Sequence, residues 1–511
     1  MSMITRRGMF AANPAGVTYS REVQKVSKLN LSMATDLYQL TMVYGYYKSG
    51  IAHRKAVFDL FFRRLPWNNG YAIAAGLEQA IEYLNELRYT KEDRDYLRSL
   101  GLFPDDFLDY LGRLRFTGDV DAVPEGTPIF PNEPIMRITA PIAEAQLIET
   151  SLTSIINHQT LIATKAARVV SAAEDTEVME FGLRRAQGLF AGLYGSRAAY
   201  IGGCRATSNV LAGQLYGIPV KGTQAHAWIM SFPDELTAFR AYAEAYPDAC
   251  LLLVDTYDTI RSGLPNAITV AKELEAKGRK FVGIRIDSGD LAYLSKVARK
   301  MLDEAGLEHA IIVGSGDLDE NIIRDLRVQG AKIDSWGVGT KLITGDDNPS
   351  LGGVYKLVAI EENGKMIPKI KVSDNAEKTT NPGIKDVVRF YSRETGKALA
   401  DLIILADEEL PPHGPLTIYD PVDTWKRKTL RNYEMERLLV PIFRNGEQVY
   451  QCPSVHEVQA YAAGQLERFW PEYKRLINPE KYIVDLSDKL WHLKHDMIRE
   501  LRASYMDNNH H

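Results

Sequence analysis

The stretch Lys221–Phe232, Lys-Gly-Thr-Gln-Ala-His-Ala-Trp-Ile-Met-Ser-Phe, follows the short apolar run Gly217–Val220 and carries one histidine, His226. An apolar run that closes on Gly-Thr is typical of a buried strand, although Pro219 weakens the pattern because it has no N–H group to donate. The sequence therefore predicts a strand over 217–221 with His226 just past its carboxyl end, where α/β folds keep their functional groups. An imidazole there can serve as an acid, a base, a metal ligand or a nucleophile, and a core histidine bonded to a backbone carbonyl is the alternative.

The segment from Thr176 to Thr340 repeats one plan, in which a short strand ends in polar or glycine residues and a helical stretch follows. This alternation favours parallel strands, because each helix carries the chain back to begin the next strand in the same direction. In a barrel, the polar residues at the strand ends would converge on one face. The predicted strands are 176–181, 217–221, 250–255, 281–287, 311–315 and 335–339, and the predicted helices include 236–245, 266–277, 291–305 and 320–329.

The rest of the chain divides around this α/β segment. Short strands punctuated by glycine and proline precede it, and Asn-Gly pairs at 363–364 and 445–446 predict β-hairpins after it. The expected organisation is a flexible leader (1–28), an N-terminal α+β domain (29–150), the α/β segment (151–350), a hairpin-rich segment (351–450), and C-terminal helices with a tail (451–511).

Composition and charge narrow the function classes. The chain has 511 residues, 45% of them hydrophobic, and a formal net charge of -5. No basic run is long enough to neutralise many phosphates, and no apolar run approaches the length of a transmembrane helix, so neither a nucleic acid nor a membrane is an expected partner. The cysteines, Cys204, Cys250 and Cys452, are widely separated and suit neither a disulfide framework nor a metal site, which predicts a cytoplasmic protein.

The predicted strand ends combine arginines, aspartates and glycine turns. Arginines and the backbone amides of glycine turns bind phosphates, and aspartates beside them can bind Mg2+ directly or through water. Arg285 and Asp287 alternate along one predicted strand and so face the same side, where they can meet one ligand; a buried ion pair is the alternative. The candidate metal ligands are Asp255 and Asp287.

Several motifs of the chain carry a family resemblance. They are Thr35-Asp36-Leu37-Tyr38-Gln39, Phe62-Arg63-Arg64, Glu-Phe-Gly-Leu-Arg-Arg-Ala-Gln-Gly at 180–188, Ser-Asn-Val-Leu-Ala-Gly at 208–213, Gly-Thr-Gln-Ala-His at 222–226, Asp-Ser-Gly-Asp at 287–290, and Gly-Val-Gly-Thr at 337–340. Through these motifs, which run in order from about residue 33 to beyond residue 400, the chain resembles the nicotinate phosphoribosyltransferases.

The resemblance implies the type II phosphoribosyltransferase fold, an irregular (β/α) barrel with an additional α+β, β-rich domain in which residues 351–450 pack with the N-terminal domain. It implies an ATP-coupled ligase of NAD biosynthesis that joins nicotinate to the ribose of phosphoribosyl pyrophosphate and releases nicotinate mononucleotide and pyrophosphate. ATP hydrolysis would proceed through a phosphorylated histidine, which matches His226 by motif, and Mg2+ is the expected metal. A homodimer is expected, in which Tyr38 would act across the interface.

Roles for individual residues follow from the motifs and from the chemistry of the substrates. By motif, the nicotinate contacts match Tyr38, Thr223 and Arg285, and the ring of Phe181 would stack on the pyridine. A carboxylate such as Asp287 would stabilise the positive charge that develops on the ribose. The phosphoribosyl and phosphate contacts are expected at Thr340, Gly339, Arg184, Ser315 and Gly316.

Three alternatives remain open from the sequence. A nicotinamide-using relative would place an acidic residue against the amide, whereas the comparable turn here, Ser208-Asn209, is neutral. A quinolinate-using relative would need a richer basic pocket and no special histidine. A barrel kept only as a non-catalytic scaffold would have lost its strand-end chemistry, and here that chemistry is present.

Overall fold

The structure, a computed structural model, describes residues 30–373 and 379–507, so the predicted leader (1–28) and the last residues of the tail (508–511) lie outside the described part. In chain order the helices are α1 (Leu37–Lys48), α2 (Leu77–Glu86), α3 (Lys91–Ser99), α4 (Asp105–Arg113), α5 (Ile142–Leu147), α6 (Glu149–Ala173), α7 (Leu189–Ile201), α8 (Val210–Tyr216), α9 (His226–Met230), α10 (Glu235–Ala245), α11 (Leu264–Ala276), α12 (Leu291–Glu304), α13 (Glu320–Val328), α14 (Thr340–Ile343), α15 (Val455–Glu467) and α16 (Asp488–Asp507). The strands are β1 (Lys55–Phe62), β2 (Ala72–Ile73), β3 (Asp119–Ala122), β4 (Pro128–Ile129), β5 (Met136–Pro141), β6 (Glu177–Glu180), β7 (Ala206–Thr207), β8 (Leu251–Leu253), β9 (Gly283–Ile286), β10 (Ile311–Gly316), β11 (Ser335–Val338), β12 (Gly353–Glu362), β13 (Lys365–Pro368), β14 (Lys385–Ser392), β15 (Ala398–Leu405), β16 (Leu416–Tyr419), β17 (Arg427–Leu430), β18 (Tyr433–Arg437), β19 (Val440–Arg444), β20 (Glu447–Gln448) and β21 (Val484–Leu486). Among these described helices none is long and apolar enough to cross a bilayer.

A parallel sheet forms the wall of the barrel, in the order β7-β6-β11-β10-β9-β8. Its strands are short runs of buried residues, such as Leu251–Leu253 and Ser335–Val338, and helices connect them in the predicted alternation. Five of the six predicted strands are therefore confirmed, with ends shifted by a few residues. The short strand β7 was missed because two residues carry no readable alternation.

The prediction of a strand over 217–221 is wrong, because this segment does not pair continuously with a neighbouring strand. Val220 makes only an isolated parallel bridge to Thr207, in which Thr207 N donates to Pro219 O (3.0 Å) and Lys221 N donates to Thr207 O (2.9 Å). Pro219 has no N–H to extend the pairing, and the chain leaves the sheet after Lys221. The placement of His226 just beyond this segment is nevertheless confirmed, since it begins α9.

A side chain joins this irregular segment to the other edge of the sheet. The amide of Gln224, in the orientation that satisfies its hydrogen bonds, donates to Leu251 O (3.0 Å) and accepts from Leu253 N (3.2 Å). These are the backbone groups that β8 would offer to a neighbouring strand. The Gln224 side chain therefore satisfies backbone groups of β8 that a paired strand would otherwise satisfy. The barrel is irregular where this segment meets β8, because no strand pairs there.

Aspartates begin several of the helices that surround the barrel. Asp234 accepts from Thr237 N (2.8 Å), Asp290 from Tyr293 N (2.9 Å) and Asp319 from Ile322 N (2.8 Å). Each carboxylate satisfies backbone N–H groups that have no partner inside the helix, which stabilises a helix by about 1 kcal/mol. The connections at the carboxyl ends of the strands are thereby fixed in length and direction.

The second layer of the protein is an antiparallel sheet with the strand order β13-β12-β1-β5-β3-β19-β20. Strands from residues 351–450 thus pair directly with strands from residues 29–150: Ala56 lies opposite Ile360, and Val120 lies opposite Phe443. Both predicted Asn-Gly hairpins form, with positive φ at each asparagine and glycine. The predicted boundary at residue 150 falls inside α6, because the apolar pattern of that helix continues to Ala173.

A buried charge cluster is centred on Arg389 of β14 and Asp401 of β15, which lie opposite each other in the sheet β18-β14-β15-β21. Arg389 donates to Asp401 (2.6 Å), and Tyr482 Oη donates to the same carboxylate (2.9 Å). Glu133, which is 1% exposed, accepts from Phe130 N (2.9 Å). Burial, followed by the negative charge of Asp401, holds the pKa of Glu133 well above its ordinary value.

Replacing Glu133 with glutamine is expected to stabilise the protein at neutral and alkaline pH. Because the folded-state pKa is raised, the stability that protonated Glu133 contributes is complete below the unfolded pKa and is lost as pH rises through the folded pKa. Above both values the variant should gain about 1.4 kcal/mol for each unit by which the two pKa values differ. Urea unfolding at about pH 5 and about pH 8 measures this gain, which must be larger at the higher pH. An equal gain at both pH values would contradict the uncharged state of Glu133.

Candidate active site

His226 and Asp255 form a pair at the carboxyl ends of the barrel strands. His226 Nε2 lies 3.3 Å from Asp255 Oδ1; the imidazole is 37% exposed, and the carboxylate is 2% exposed. The other oxygen of Asp255 accepts from Asp287 N (2.9 Å) and from Ser288 Oγ (2.7 Å). One buried carboxylate therefore links the histidine to the loop that follows β9. The alternative of a core histidine bonded to a backbone carbonyl does not describe this ring.

Arg285 is the centre of a second set of contacts. Its Nη1 donates to Thr223 Oγ1 (3.0 Å) and to Gln224 O (3.3 Å), its Nε donates to Ser315 Oγ (3.0 Å), and its Nη2 donates to Asp287 Oδ1 (3.1 Å). The prediction that Arg285 and Asp287 face the same side of β9 is confirmed by this ion pair. Four of the five guanidinium N–H groups are used, and one N–H on Nη2 has no partner within residues 30–373 and 379–507.

The ionisation of Asp287 reflects its neighbours. Burial alone would raise the pKa of Asp287, but the hydrogen bond from Ser315 Oγ (2.6 Å) and the charge of Arg285 outweigh burial and lower that pKa. The carboxylate is therefore ionised at neutral pH. It stands next to the positive guanidinium of Arg285, at the carboxyl end of β9.

The two candidate metal ligands differ in their availability. Both oxygens of Asp255 already accept hydrogen bonds, and its side chain is closed off from solvent. Asp287 uses one oxygen for Arg285 and Ser315, and its second oxygen has no partner among the described residues. The described residues contain no group of three or more histidine, cysteine or acidic side chains placed to hold a metal. This donor set fits Mg2+ only if substrate phosphates complete the coordination, as Mg2+ sites often require.

Phe181 follows β6 directly and lies over the end of β11. Its backbone N donates to Val338 O (2.8 Å), and a Cβ at Gly337 would lie 2.6 Å from its ring, so glycine makes room for the aromatic side chain. Beneath it, the buried Glu180 accepts from Thr207 Oγ1 (2.6 Å) and from the backbone of the turn that follows Phe181. The half-buried ring shares the space over Gly337 with Ser315, whose Cβ lies 3.3 Å from the same Cβ position, so the ring borders the cluster around Arg285.

The residues predicted to bind phosphate fall into two groups. Thr340, which begins α14 after Gly339, and Arg184, in the turn after β6, are exposed at the rim of the strand ends. Gly316 has a φ of +117°, and a Cβ there would lie 2.6 Å from Asp287 O, so this turn requires glycine. Ser315 differs from the others, because it is 3% exposed and its hydroxyl faces Arg285 and Asp287.

Tyr38 lies apart from these residues. Its ring, 46% exposed on α1, lines a cavity of about 800 Å³ together with Glu149, Thr150, His158 and Lys356. Burial, followed by the charge of Glu149, raises the pKa of the Tyr38 phenol. The residues around Arg285 and His226 do not line this cavity, so within one chain the described structure does not unite the predicted nicotinate contacts.

Sequence reasoning missed one contributor to the site. Gln224 stands inside the Gly-Thr-Gln-Ala-His motif, yet nothing in the motif indicates that its amide joins β8. Ser288, which the sequence places at a strand end beside Asp287, donates to Asp255 and so joins the residues expected to converge on one face. Asn209 is a buried helix cap whose Oδ1 accepts from Ala212 N (3.3 Å), so the neutral turn compared with nicotinamide-using enzymes does not itself offer that side chain to a ligand.

The comparisons with known proteins cover nearly the whole chain. It matches the nicotinate phosphoribosyltransferase (NAPRTase) N-terminal domain over residues 33–157, the NAPRTase family over 176–401 and the C-terminal domain over 384–494. It is 52% identical to the nicotinate phosphoribosyltransferase of Bacillus subtilis over 93% of this chain and 96% of that protein. The crystal structure of human nicotinic acid phosphoribosyltransferase superposes with a TM-score of 0.80 at 34% identity, covering 91% of this chain and 99% of that one. A nicotinate-nucleotide pyrophosphorylase from Pyrococcus furiosus gives a TM-score of 0.66 at 26% identity, covering 86% of this chain and 96% of that one. These relatives confirm the irregular barrel with its second, β-rich domain, and the chain belongs to the nicotinate phosphoribosyltransferase family.

Proposed function

We propose that the protein transfers the phosphoribosyl group of phosphoribosyl pyrophosphate to nicotinate, forming nicotinate mononucleotide and pyrophosphate for NAD biosynthesis, and that ATP hydrolysis drives this transfer. The observation that carries the proposal is the set of contacts that Arg285 makes with Thr223, Ser315 and Asp287, beside the pair of His226 and Asp255. This arrangement offers a cationic donor, an ionised carboxylate and an exposed imidazole within one group of strand ends.

Nicotinate is a flat aromatic anion, and the site offers groups for both of these properties. The guanidinium of Arg285 and the hydroxyl of Thr223 lie 3.0 Å apart and would together hold the carboxylate through charge-assisted hydrogen bonds. Phe181, which borders the cluster, would stack on the pyridine ring. In this pose the ring nitrogen points away from Arg285, toward the space where the ribose would lie.

Asp287 would act on the ribose. As the pyridine nitrogen attacks the anomeric carbon, the C–O bond to pyrophosphate breaks and positive charge develops on the ribose, and an ionised carboxylate stabilises this charge. The lowered pKa of Asp287 keeps the carboxylate ionised. Thr340, Gly339, Arg184 and Gly316 would hold the phosphates. The outer oxygen of Asp287 would help to hold Mg2+, which would supply positive charge to a phosphate leaving group.

His226 would take the γ-phosphoryl group of ATP. The carboxylate of Asp255 would accept a hydrogen bond from Nε2–H at 3.3 Å, which leaves the lone pair on Nδ1 and makes that nitrogen the nucleophile. Nδ1 has no hydrogen-bond partner among the described residues. As the N–P bond forms, the bond between the γ-phosphorus and ADP breaks, and the carboxylate of Asp255 stabilises the positive imidazolium. Water later cleaves the N–P bond and releases phosphate.

The enzyme would act as a homodimer in the cytoplasm. Tyr38 does not share a cavity with Arg285, and large apolar side chains are exposed on α1 and at the starts of α7 and α8, as expected for a surface that a second copy covers. The exposed apolar residues are Leu37, Met42, Leu189, Phe190 and Val210. The free thiols of Cys204, Cys250 and Cys452 support a reducing compartment.

Mixing two defective variants tests the shared site. If Tyr38 serves the partner's barrel, hybrid dimers of Tyr38→Ala and His226→Ala contain one site with both residues intact. Random assortment should then restore about a quarter of the ATP-dependent activity of the wild-type enzyme. Each variant alone, after the same unfolding and mixing treatment, is the control. No recovery in verified hybrids would place Tyr38 in its own subunit's site.

One incubation series tests the reaction itself. The protein is supplied with phosphoribosyl pyrophosphate, γ-labelled ATP and one pyridine base, and the acid-labile phosphoprotein and the mononucleotide product are measured. Nicotinate should give both, whereas nicotinamide and quinolinate should give little product. Preferential use of either alternative base would replace the proposed substrate, and no product from any base would favour a non-catalytic scaffold.

A further inference from the structure

Ser315 occupies a position that its predicted phosphate-binding role does not explain. The residue lies near the end of β10, where Val313 pairs with Arg285 and Gly314 pairs with Ile286, so that Ser315 comes opposite Asp287. Its side chain points to the same side of the sheet as Arg285 and Asp287. A serine there can join the two charged residues from the neighbouring strand.

The hydroxyl of Ser315 is engaged on both sides. It donates its proton to Asp287 Oδ1 (2.6 Å) and accepts from Arg285 Nε (3.0 Å). Arg285 Nη2 closes the ring by donating to the same oxygen of Asp287 at 3.1 Å. With the side chain 3% exposed, the single donor of the hydroxyl is already committed and cannot also serve a phosphate.

The surroundings provide no substitute for this hydroxyl. On the other neighbouring strand, Ser315 pairs with Gly337, which has no side chain and whose space is taken by the ring of Phe181. Without the hydroxyl, Arg285 Nε would lose its acceptor and the guanidinium plane could turn about its remaining contacts. Asp287 Oδ1 would lose the shorter of its two hydrogen bonds and keep only the one from Arg285 Nη2.

We propose that Ser315 is a positioning residue that locks the guanidinium of Arg285 and the carboxylate of Asp287 in one rigid ring, so that the carboxylate of nicotinate and the ribose meet groups already in place. This inference rests on the proposed function, since it assigns Arg285 to the carboxylate of nicotinate and Asp287 to the ribose. Ser315 itself touches neither substrate. Preorganisation of this kind lowers the cost of binding, because the donors need not be ordered when the ligand arrives.

Replacing Ser315 with alanine tests this role. The KM for nicotinate should rise about tenfold, as expected for one lost hydrogen bond to a charged group. The KM for phosphoribosyl pyrophosphate should change little. Ser315→Thr, which keeps the hydroxyl, should restore the KM for nicotinate.

Ser335→Ala is the matched control. Ser335 is also buried on a barrel strand, but it lies at the amino end of β11, where its hydroxyl donates to Glu177 O (3.3 Å). The site lies at the opposite, carboxyl ends of the strands. Ser335→Ala should leave both KM values unchanged at a similar melting temperature. A higher KM for phosphoribosyl pyrophosphate in Ser315→Ala, with nicotinate unaffected, would make Ser315 a phosphate ligand. Lower stability with both KM values unchanged would make its role only structural. Either result overturns the inference, whereas loss of the proposed function itself would appear as absence of nicotinate turnover in the wild-type protein.

Discussion

His226→Ala is expected to abolish ATP hydrolysis and phosphoprotein formation while slow, ATP-independent synthesis of nicotinate mononucleotide continues. Removing the nucleophile removes the covalent step altogether, so ATP hydrolysis should fall on the order of a thousandfold or more. Transfer to nicotinate uses other groups, Arg285 and Asp287, whose mutual contacts do not pass through the imidazole. The measurement is release of labelled phosphate from ATP and, separately, mononucleotide formation with and without ATP.

Two further variants separate the loss of the nucleophile from the loss of a contact. In His226→Gln the side-chain amide can still donate to Asp255 but cannot carry a phosphoryl group, so it should resemble the alanine variant in ATP hydrolysis. His309 is a matched control, because its ring pairs with Glu275 at 3.1 Å outside the site and His309→Ala should retain both activities. Unchanged dependence of synthesis on ATP in His226→Ala would refute the phosphohistidine.

The alternation of strands and helices was readable because it depends on local patterns. Short apolar runs and polar strand ends gave five barrel strands within a few residues of their observed bounds. The prediction that the side chains of Arg285 and Asp287 face the same side of β9 also followed from the two-residue period of a strand. The prediction of a strand over 217–221 was wrong because Pro219 permits an isolated bridge but no continuous strand pairing. The hydrogen bonds from the Gln224 side chain to β8 could not be predicted, because no sequence pattern indicates them.

Contacts between separate elements of the site could not be predicted from the sequence. That Ser315 stands opposite Asp287 depends on the register between β9 and β10, which nothing in either strand specifies alone. The separation of Tyr38 from Arg285 depends on how α1 packs against α5 and α6, more than 100 residues later in the chain. Sequence motifs therefore indicate candidate site residues, whereas the contacts among those residues depend on the tertiary structure.

Arg285→Ala is expected to raise the KM for nicotinate about a hundredfold or more and to leave the KM for ATP nearly unchanged. The guanidinium is the cation of the described cluster that faces Thr223, and each charge-assisted hydrogen bond it would offer to the carboxylate contributes about 1.5 to 3 kcal/mol. Lysine restores the charge but not the planar fork, so Arg285→Lys should recover only part of the affinity. Steady-state kinetics with each substrate varied in turn give these values.

The specificity of this effect depends on the charge of the ligand. If Arg285 holds a carboxylate, the variant should lose affinity for nicotinate far more than for neutral 3-substituted pyridines, such as nicotinamide used as a competitor, because a neutral substituent gains little from a guanidinium. Arg279→Ala is the matched control, since Arg279 pairs with Asp248 at 2.9 Å on the surface before β9 begins. Equal losses for the charged and the neutral pyridines, or equal increases in the KM for nicotinate and for ATP, would show that Arg285 only supports the shape of the site. A loss confined to the charged ligand requires the guanidinium to meet the carboxylate directly, because a distorted pocket would weaken the binding of both kinds of pyridine.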